Sequence, residues 1–294
     1  MSLIDTVMEI YHGVSKQKAK QILNHSEFIV DGRKIRKHPK FIVEVGLIIE
    51  IESIAKGSKK NALPTRNNPI AIHFEDEYFI VAVKPAGILA VNDKNQVTAK
   101  SFHKLLEDFA SYRAGKKVRL WPVHRLDKEV EGLIIFAKDE EILEEMKENW
   151  QNVTKKYLAL VENRPANNQG IIENWLREGH EQKAMVFNKE AEGSKFAKTE
   201  FAYLKEEGKF HLLEITLHTG RKNQIRAHLS HIGCPIVGDR KYGANDSLNR
   251  QVRLCAYKIE FKHPATGKVI NLEYKPIARF FKPSLKEDEN YKLV

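Results

Sequence analysis

Residues 133 to 137 constrain the fold more than any other stretch, because they place five apolar side chains in succession with no polar position between them. Such an uninterrupted run predicts a strand buried on both faces at the centre of a sheet. The preceding segment is charged, with His124, Arg125 and Asp127 ahead of Gly132. We therefore expect a reactive loop that leads into a buried central strand. An ion pair that merely caps the strand end is the alternative.

Other apolar stretches predict mostly antiparallel strands. Residues 199–204 and 210–217 have strand composition, and turn formers at 207–208 and 219–220 bound the second stretch. Asp139 can cap a helix between such strands. We expect an α+β fold in which a mixed, mostly antiparallel β-sheet is flanked by helices and preceded by a small α+β unit.

The first 52 residues are predicted to form that small unit, with a helix capped by Ser15 and a tight turn at Asp31-Gly32. Its basic side chains are expected to bind the phosphates of a polyanionic partner, and the candidates are Lys16, Lys18, Lys20, Arg33, Lys34 and Arg36. A solvated charged surface is the alternative. Residues 53–69 collect turn formers and charge, which predicts a flexible linker, so residues 70–294 would form the second domain.

The charge and cysteine content are consistent with a polyanionic partner and a reducing compartment. Lys and Arg total 49 against 39 Asp and Glu, which gives a net charge of +10. Cys234 and Cys255 lack the spacing of a disulfide framework or a metal site. No apolar run approaches the roughly 18 residues that a membrane span requires, so we expect a cytoplasmic protein without a membrane partner.

A second informative stretch lies at residues 220 to 233. Ile225, Leu229 and Ile232 recur at helical spacing, which predicts a short helix with one buried stripe. Arg226 lies at the edge of that stripe, where a guanidinium is buried only if a carboxylate or phosphate meets it.

The same predicted helix carries His228 and His231, three residues apart, which is a weak indication of a metal site. A third ligand at suitable spacing is missing, so we predict no metal. A metal-dependent nuclease would need an acidic or histidine cluster that the sequence does not offer.

Taken together, the motifs resemble those of a known family. His-Arg-Leu-Asp at 124–127, followed by x-x-x-x-G and a strand, resembles the active-site signature of the RNA pseudouridine synthases. The resemblance is to the RluA/RluD type, the branch that modifies large ribosomal RNA and some tRNA. Residues 74–87 resemble its K-P-x-G opening, 155–161 its K-x-Y-x-A-x-V strand, and 220–243 its G-R-x-x-Q-I-R block. The resemblance covers residues 74–276 in the right order.

The sequence also departs from the family pattern. An Asn, a Thr-Ser pair and a Thr-His pair are usual at positions that hold Val83, Val130, Glu131, Lys222 and Asn223. These departures support a second hypothesis, a catalytically silent RNA-binding or ribosome-assembly protein on the same fold. The N-terminal unit in turn resembles the S4-type RNA-binding module, with Leu47 where that module often has an acidic residue.

The resemblance implies an isomerase that converts uridine to pseudouridine. That reaction breaks the bond from ribose C1′ to N1 and rejoins the ring through C5 without redox change, so no cofactor is needed. An ionised carboxylate can attack carbon, stabilise a ribosyl cation or assist proton removal at C2′. Asp127 is the candidate, with these three roles open. Arg226 would keep it charged through a bidentate contact.

The resemblance also implies roles for two further residues and a partner. Tyr157 would pack against the target base, and Arg125 would fill the space that the uridine leaves when it flips out of its stack. The expected partner is RNA, with 23S ribosomal RNA as the first choice and tRNA as the alternative. We expect a monomer.

Overall fold

The computed structural model describes residues 3–10, 15–30, 33–34, 49–53, 70–92, 101–179, 183–245 and 251–281. The chain separates into two compact units, residues 1–60 and 61–294.

The first unit has two helices and three strands in its described part, and the strand order is β2-β1-β3 with antiparallel pairing. Their bounds are α1 (Leu3–Ile10), α2 (Lys16–His25), β1 (Ser26–Val30), β2 (Arg33–Lys34) and β3 (Ile49–Ser53). The predicted linker begins one residue too early, because Ser53 pairs with Ser26 in this sheet. The rest of that linker and the predicted turn at Asp31-Gly32 lie outside the described residues.

The second unit is built on one sheet of eleven described strands with four described helices. The helices are α3 (Phe102–Ala114), α4 (Glu140–Glu148), α5 (Gln224–His231) and α6 (Ala278–Phe281). The strands are β4 (Ile72–Glu75), β5 (Phe79–Lys84), β6 (Trp121–Pro122), β7 (Glu131–Ala137), β8 (Thr154–Val161), β9 (Gln169–Glu178), β10 (Ala184–Phe187), β11 (Lys195–Glu207), β12 (Phe210–Leu217), β13 (Leu254–Lys262) and β14 (Val269–Glu273).

The main strand order is β10-β9-β11-β12-β8-β13-β7-β5-β4, with β6 beside β7 and β14 beside β13. Every pair in this described sheet is antiparallel except β7 with β13, which is parallel. The predicted mixed, mostly antiparallel sheet is therefore confirmed.

Strand β7 is the buried central strand that the apolar run predicts. Residues 133–137 are each at most 1% exposed. Ile134 and Phe136 pack into the core beneath α3, whereas Leu133 and Ile135 pack into the separate core beneath α4. Residues 133–137 of this strand are all apolar because each face of the strand is covered by a helix.

Gly132 marks the closest approach of β7 to its parallel neighbour. Its φ is +123°, and a Cβ at this position would lie 2.2 Å from the carbonyl oxygen of Ala256 in β13. A side chain here would clash with backbone, which cannot move aside without breaking the pairing. The glycine thus lets β13 lie against the end of the loop that carries Asp127.

Local side chains set several element boundaries. Asp139 caps α4, since its Oδ1 accepts a hydrogen bond of 2.8 Å from the second helical amide, as predicted. In α5, Ile225 and Leu229 are buried as predicted, but Ile232 is 36% exposed, because the helix ends before it. Residues 74–84 form parts of two strands, β4 and β5, because the Asp76 carboxylate accepts hydrogen bonds from the amides of residues 78 and 79 in a tight turn. None of the helices in the described ranges is long and apolar enough to cross a membrane.

Candidate active site

The loop before β7 and the start of α5 face each other across a cleft of about 780 Å³. Asp127 and Arg125 line it from the loop, Tyr157 from β8 and Arg226 from α5. All four were predicted as site residues. Arg125 and Arg226, the two that lie farthest apart in sequence, are separated by 101 positions. The fold brings them together at one opening, with Arg125 itself exposed to solvent.

The loop that carries Asp127 is held in place by hydrogen bonds from the end of β5 and the turn that follows it. The amide of Gly87 donates to the carbonyl oxygen of Lys128 at 2.7 Å, and Lys84 Nζ donates to the same oxygen at 3.3 Å. Lys84 also donates to the carbonyl oxygens of Pro85 and Ile88 at 2.9 and 3.0 Å. Its side chain is fully buried, so these three acceptors replace water around the ammonium. Lys84 therefore positions the loop from inside the protein.

Arg226 is the centre of the charged contacts in the cleft. Its Nε and Nη2 donate to the two carboxylate oxygens of Asp239 at 2.7 and 2.9 Å. Nη1 donates to Asn223 Oδ1 at 3.0 Å and lies 3.3 Å from the carboxylate of Glu129. The same Nη1 is 3.7 Å from Asp127 Oδ2. The prediction of a bidentate contact between Arg226 and Asp127 is therefore wrong, because Asp239 takes both edge donors and leaves Asp127 a longer ionic contact through Nη1.

The charge states of Asp127 and Tyr157 follow from their surroundings. Desolvation raises the pKa of Asp127, and the nearby negative charge of Glu129 acts in the same direction, whereas Arg226 and Lys84 oppose the rise. Desolvation also raises the pKa of Tyr157, with a further contribution from the negative charge of Asp127. The tyrosine is 8% exposed and is a neutral phenol at physiological pH. It can therefore offer an apolar ring to a base without adding charge.

The comparison with known families shows which family this chain belongs to. The family model described as RNA pseudouridylate synthase matches residues 78–231, a range that includes Asp127, Tyr157 and Arg226. The chain belongs to this family. Its curated relatives are RNA pseudouridine synthases, and this chain is likewise an isomerase that modifies RNA.

Three relatives illustrate the match. The chain is 32% identical over 220 residues to the ribosomal large subunit pseudouridine synthase D of Borreliella burgdorferi, covering 72% of this chain and 67% of that one. It is 31% identical to the ribosomal large subunit pseudouridine synthase C of Rickettsia prowazekii, with 69% and 66% covered. An uncharacterized RNA pseudouridine synthase of Aquifex aeolicus is 30% identical, with 88% and 84% covered.

Solved structures support the fold. Human RNA pseudouridylate synthase domain containing 4 aligns with a TM-score of 0.59 at 24% identity, covering 71% of this chain and 90% of that one. Human RNA pseudouridylate synthase domain containing 1 gives the same TM-score at 19% identity, with 73% and 86% covered.

Two residues that hold Arg226 in this synthase were not predicted as site residues. Asp239 is 1% exposed, and Asn223 is the one described residue other than glycine with a positive φ, at 55°. Asparagine tolerates that left-handed conformation, which lets its side chain turn back to Arg226. The Tyr242 ring lies over the guanidinium, with 5.1 Å from Cζ to the ring centroid. The Gly-Asp pair at 238–239 and the Tyr-Gly pair at 242–243 are the sequence signals that could have found Asp239 and Tyr242.

Of the three histidines in the two motifs, His124 and His228 have structural contacts. His124 Nε2 accepts a hydrogen bond of 3.1 Å from the amide of Ile135, and its ring stacks on Trp150 at 4.9 Å. Desolvation lowers its pKa to about 4, so it is neutral. His228 is buried with its Nδ1 2.9 Å from Thr199 Oγ1, whereas His231 is exposed. Among the described residues, no group of three or more His, Cys, Asp and Glu could hold a metal ion.

The basic candidates of the N-terminal unit are only partly described. Lys16 and Lys20 are exposed on α2, and Lys18 belongs to the same helix. Arg33 and Lys34 form β2, and Arg36 lies outside the described residues.

Proposed function

We propose that this synthase converts specific uridines of large-subunit ribosomal RNA to pseudouridine, with Asp127 as the catalytic carboxylate. The observation that carries the proposal is the position of Asp127, whose side chain is 30% exposed in the cleft and lies 3.7 Å from Arg226. The named relatives from Borreliella burgdorferi and Rickettsia prowazekii act on the ribosomal large subunit, which supports the choice of RNA. Such a substrate fits a cytoplasmic protein.

The chemistry asks for a carboxylate that stays ionised in a partly dry pocket. Desolvation disfavours that state, and the guanidinium of Arg226 offsets the penalty without transferring a proton to the carboxylate. Burial lowers the pKa of Lys84 to about 7, so Lys84 adds to this effect only in its protonated form. An ionised Asp127 can attack the ribose, stabilise a ribosyl cation or assist proton removal at C2′. Each of the three roles needs a negative charge beside the ribose, so an ionised Asp127 is compatible with all of them.

The remaining cleft residues handle the base. A uridine in a stem or stacked loop must leave its stack before its glycosidic bond can be reached, and the vacated space has to be filled. Arg125 is exposed at the rim, where it can enter that space. Tyr157 then packs against the extruded uracil beside Asp127, because its buried ring forms part of the cleft wall. No cofactor takes part in this scheme.

The test is a map of pseudouridines in total RNA from cells with and without the gene. We expect one or a few uridines of the large-subunit RNA to lose the modification in the deletion strain and to regain it with the wild-type gene. The gene for Asp127→Asn should not restore it. Sites that change only in tRNA would contradict the ribosomal substrate, and an unchanged map would contradict the assignment of activity to this chain.

We further propose that residues 1–52 are an S4-like RNA-binding domain. Removing residues 1–60, the first compact unit, is expected to weaken RNA binding and to flatten its salt dependence, because Lys16, Lys20 and their neighbours release counterions when they bind phosphates. Filter binding over a range of salt concentrations measures both effects. The full-length variant Lys147→Ala, which loses one exposed charge on α4, is the control. An unchanged Kd and salt slope in the truncated protein would show that these lysines are only a solvated surface.

A further inference from the structure

A second, smaller groove of about 330 Å³ adjoins the catalytic cleft. It lies between the ends of β9 and β11 and the segment that leads into α5. Glu178, Gly220, Arg221 and Lys222 border both the groove and the cleft, so the two spaces are continuous. A chain that leaves the cleft on this side must pass along the groove.

The lining of the groove is basic. In the part of the chain that the structure describes, it carries Arg177, Lys195, Arg221 and Lys222 against a single carboxylate, Glu178. Four cations and one anion along a short channel attract a polyanion and repel a cation. Phosphodiesters are the polyanion that this family's substrate supplies.

The two arginines are held in place by backbone carbonyls. Arg177 Nη1 donates to the carbonyl oxygen of Glu192 at 2.9 Å, and Arg221 Nε donates to that of Phe196 at 2.9 Å. One donor of each guanidinium therefore fixes its position while the planar fork keeps further N–H groups for a ligand. Lys195 is exposed and forms no ion pair within the described ranges.

Lys222 and Glu178 form an ion pair at the junction of groove and cleft. Their side chains are 47% and 51% exposed, so solvent screens the attraction and the pair is weak. Lys222 is also one of the departures from the family pattern, which usually has Thr at this position. A phosphate that reaches the junction can take Lys222 from Glu178 at little cost, because the lysine exchanges one anion for another.

We infer that this groove binds the backbone of the RNA strand that flanks the target uridine, and that Lys222 exchanges Glu178 for a phosphate when the strand is seated. The inference rests on the proposed function in one respect, namely that the target uridine lies over Asp127. The groove contributes affinity and register along the strand, without base recognition.

The test compares three full-length variants in binding to in vitro transcribed 23S ribosomal RNA. Lys195→Glu is expected to raise the Kd by about three- to tenfold and to reduce the slope of log Kd against log salt by roughly 0.7 to 0.9, the value for one lost phosphate contact. Glu178→Gln is expected to lower the Kd by about twofold, because it frees Lys222 and removes a like charge. The control Lys147→Glu makes the same charge change on α4, which covers the other face of the sheet, and should have a smaller effect than Lys195→Glu.

Conversion rates provide a second measurement. Lys195→Glu should raise the KM while leaving the kcat at saturating RNA unchanged, because Asp127, Tyr157 and Arg226 are intact.

Four outcomes would contradict these proposals. Equal effects of Lys195→Glu and Lys147→Glu on the Kd would overturn the proposal that the groove binds RNA, because the net charge of the protein would then explain both effects. Weaker binding by Glu178→Gln would overturn the exchange at Lys222. Displacement of the RNA by uridine 5′-monophosphate that requires Lys195 would make the groove a mononucleotide site instead. Failure of the wild-type chain to bind or convert the RNA would overturn the proposed function itself, a result distinct from these.

Discussion

Replacing Asp127 by asparagine is expected to abolish pseudouridine formation while leaving RNA binding almost unchanged. The amide keeps the shape of the side chain and its place 3.7 Å from Arg226 but removes the negative charge that each of the three chemical routes uses. A loss of about 10⁴-fold corresponds to roughly 5.4 kcal/mol of transition-state stabilisation. Single-turnover conversion of the RNA substrate measures the rate, and filter binding measures the affinity.

The stability of this variant provides the control. A carboxyl whose folded pKa lies above its ordinary value of 3.8 stabilises the fold most when it is protonated, and that contribution is lost as the pH rises through the folded pKa. At pH 7 the ionised Asp127 is therefore a cost to folding, and Asp127→Asn should be as stable as the wild type or slightly more stable. The conversion rate of the wild type should decline as the pH is lowered. The midpoint of this decline should lie above 3.8, the ordinary pKa of the side chain, because the pKa of Asp127 is raised. A variant with near wild-type conversion would show that Asp127 is only an ion-pair partner.

Replacing Arg226 by alanine is expected to destabilise the fold by about 3 to 5 kcal/mol and to remove activity. The reason is Asp239, which is 1% exposed and would keep a buried negative charge after losing both hydrogen bonds from the guanidinium. Thermal unfolding measures the effect, with a fall in Tm of roughly 10 °C. The activity falls as well, because Asp127 loses the cation that helps keep it ionised.

Two further variants separate the buried pair from an ordinary ion pair. Lys156→Ala breaks a contact of 2.7 Å with Glu214 at the surface, where the partners are 31% and 24% exposed, and should cost at most about 1 kcal/mol. The double variant Arg226→Met with Asp239→Leu should regain much of the stability but none of the activity. It removes the buried Asp239 carboxylate together with its cation, and the carboxylates of Glu129 and Asp127, which are 45% and 30% exposed, keep contact with solvent. An Arg226→Ala protein as stable as the wild type would refute the role of this pair.

The sequence predicted that Arg226 is buried and needs an anion, but it could not predict which anion. Helical spacing put the arginine at the edge of the stripe made by Ile225 and Leu229, and burial of a guanidinium requires a partner. Three carboxylates, Asp127, Glu129 and Asp239, lie within reach in the folded chain. The choice among them depends on the turn after α5 and on the placement of the loop before β7, both of which are set by tertiary contacts.

The apolar run before Lys138 and the cap at Asp139 were predictable because each is decided by neighbours in sequence. Ile232 was assigned to the buried stripe incorrectly, since the pattern continues one position beyond the point where the helix ends. Lys84 has a contact that local sequence patterns could not predict. Its motif was visible, but its contact with the carbonyl of Lys128 joins residues 44 positions apart, and spacing along the chain contains no sign of it.

Strand β13 has a consequence for how the enzyme is made. It lies between β7 and β8, so it joins the half of the sheet that carries Asp127 to the half that carries Tyr157 and supports α5. Its pairing of Ala256 with Gly132 spans more than a hundred residues, and such long-range contacts form late because the intervening chain must first be ordered. A ribosome synthesises the loop that carries Asp127 well before it synthesises β13. The growing chain can therefore complete the cleft lined by Asp127 and Tyr157 only after residue 262 has emerged.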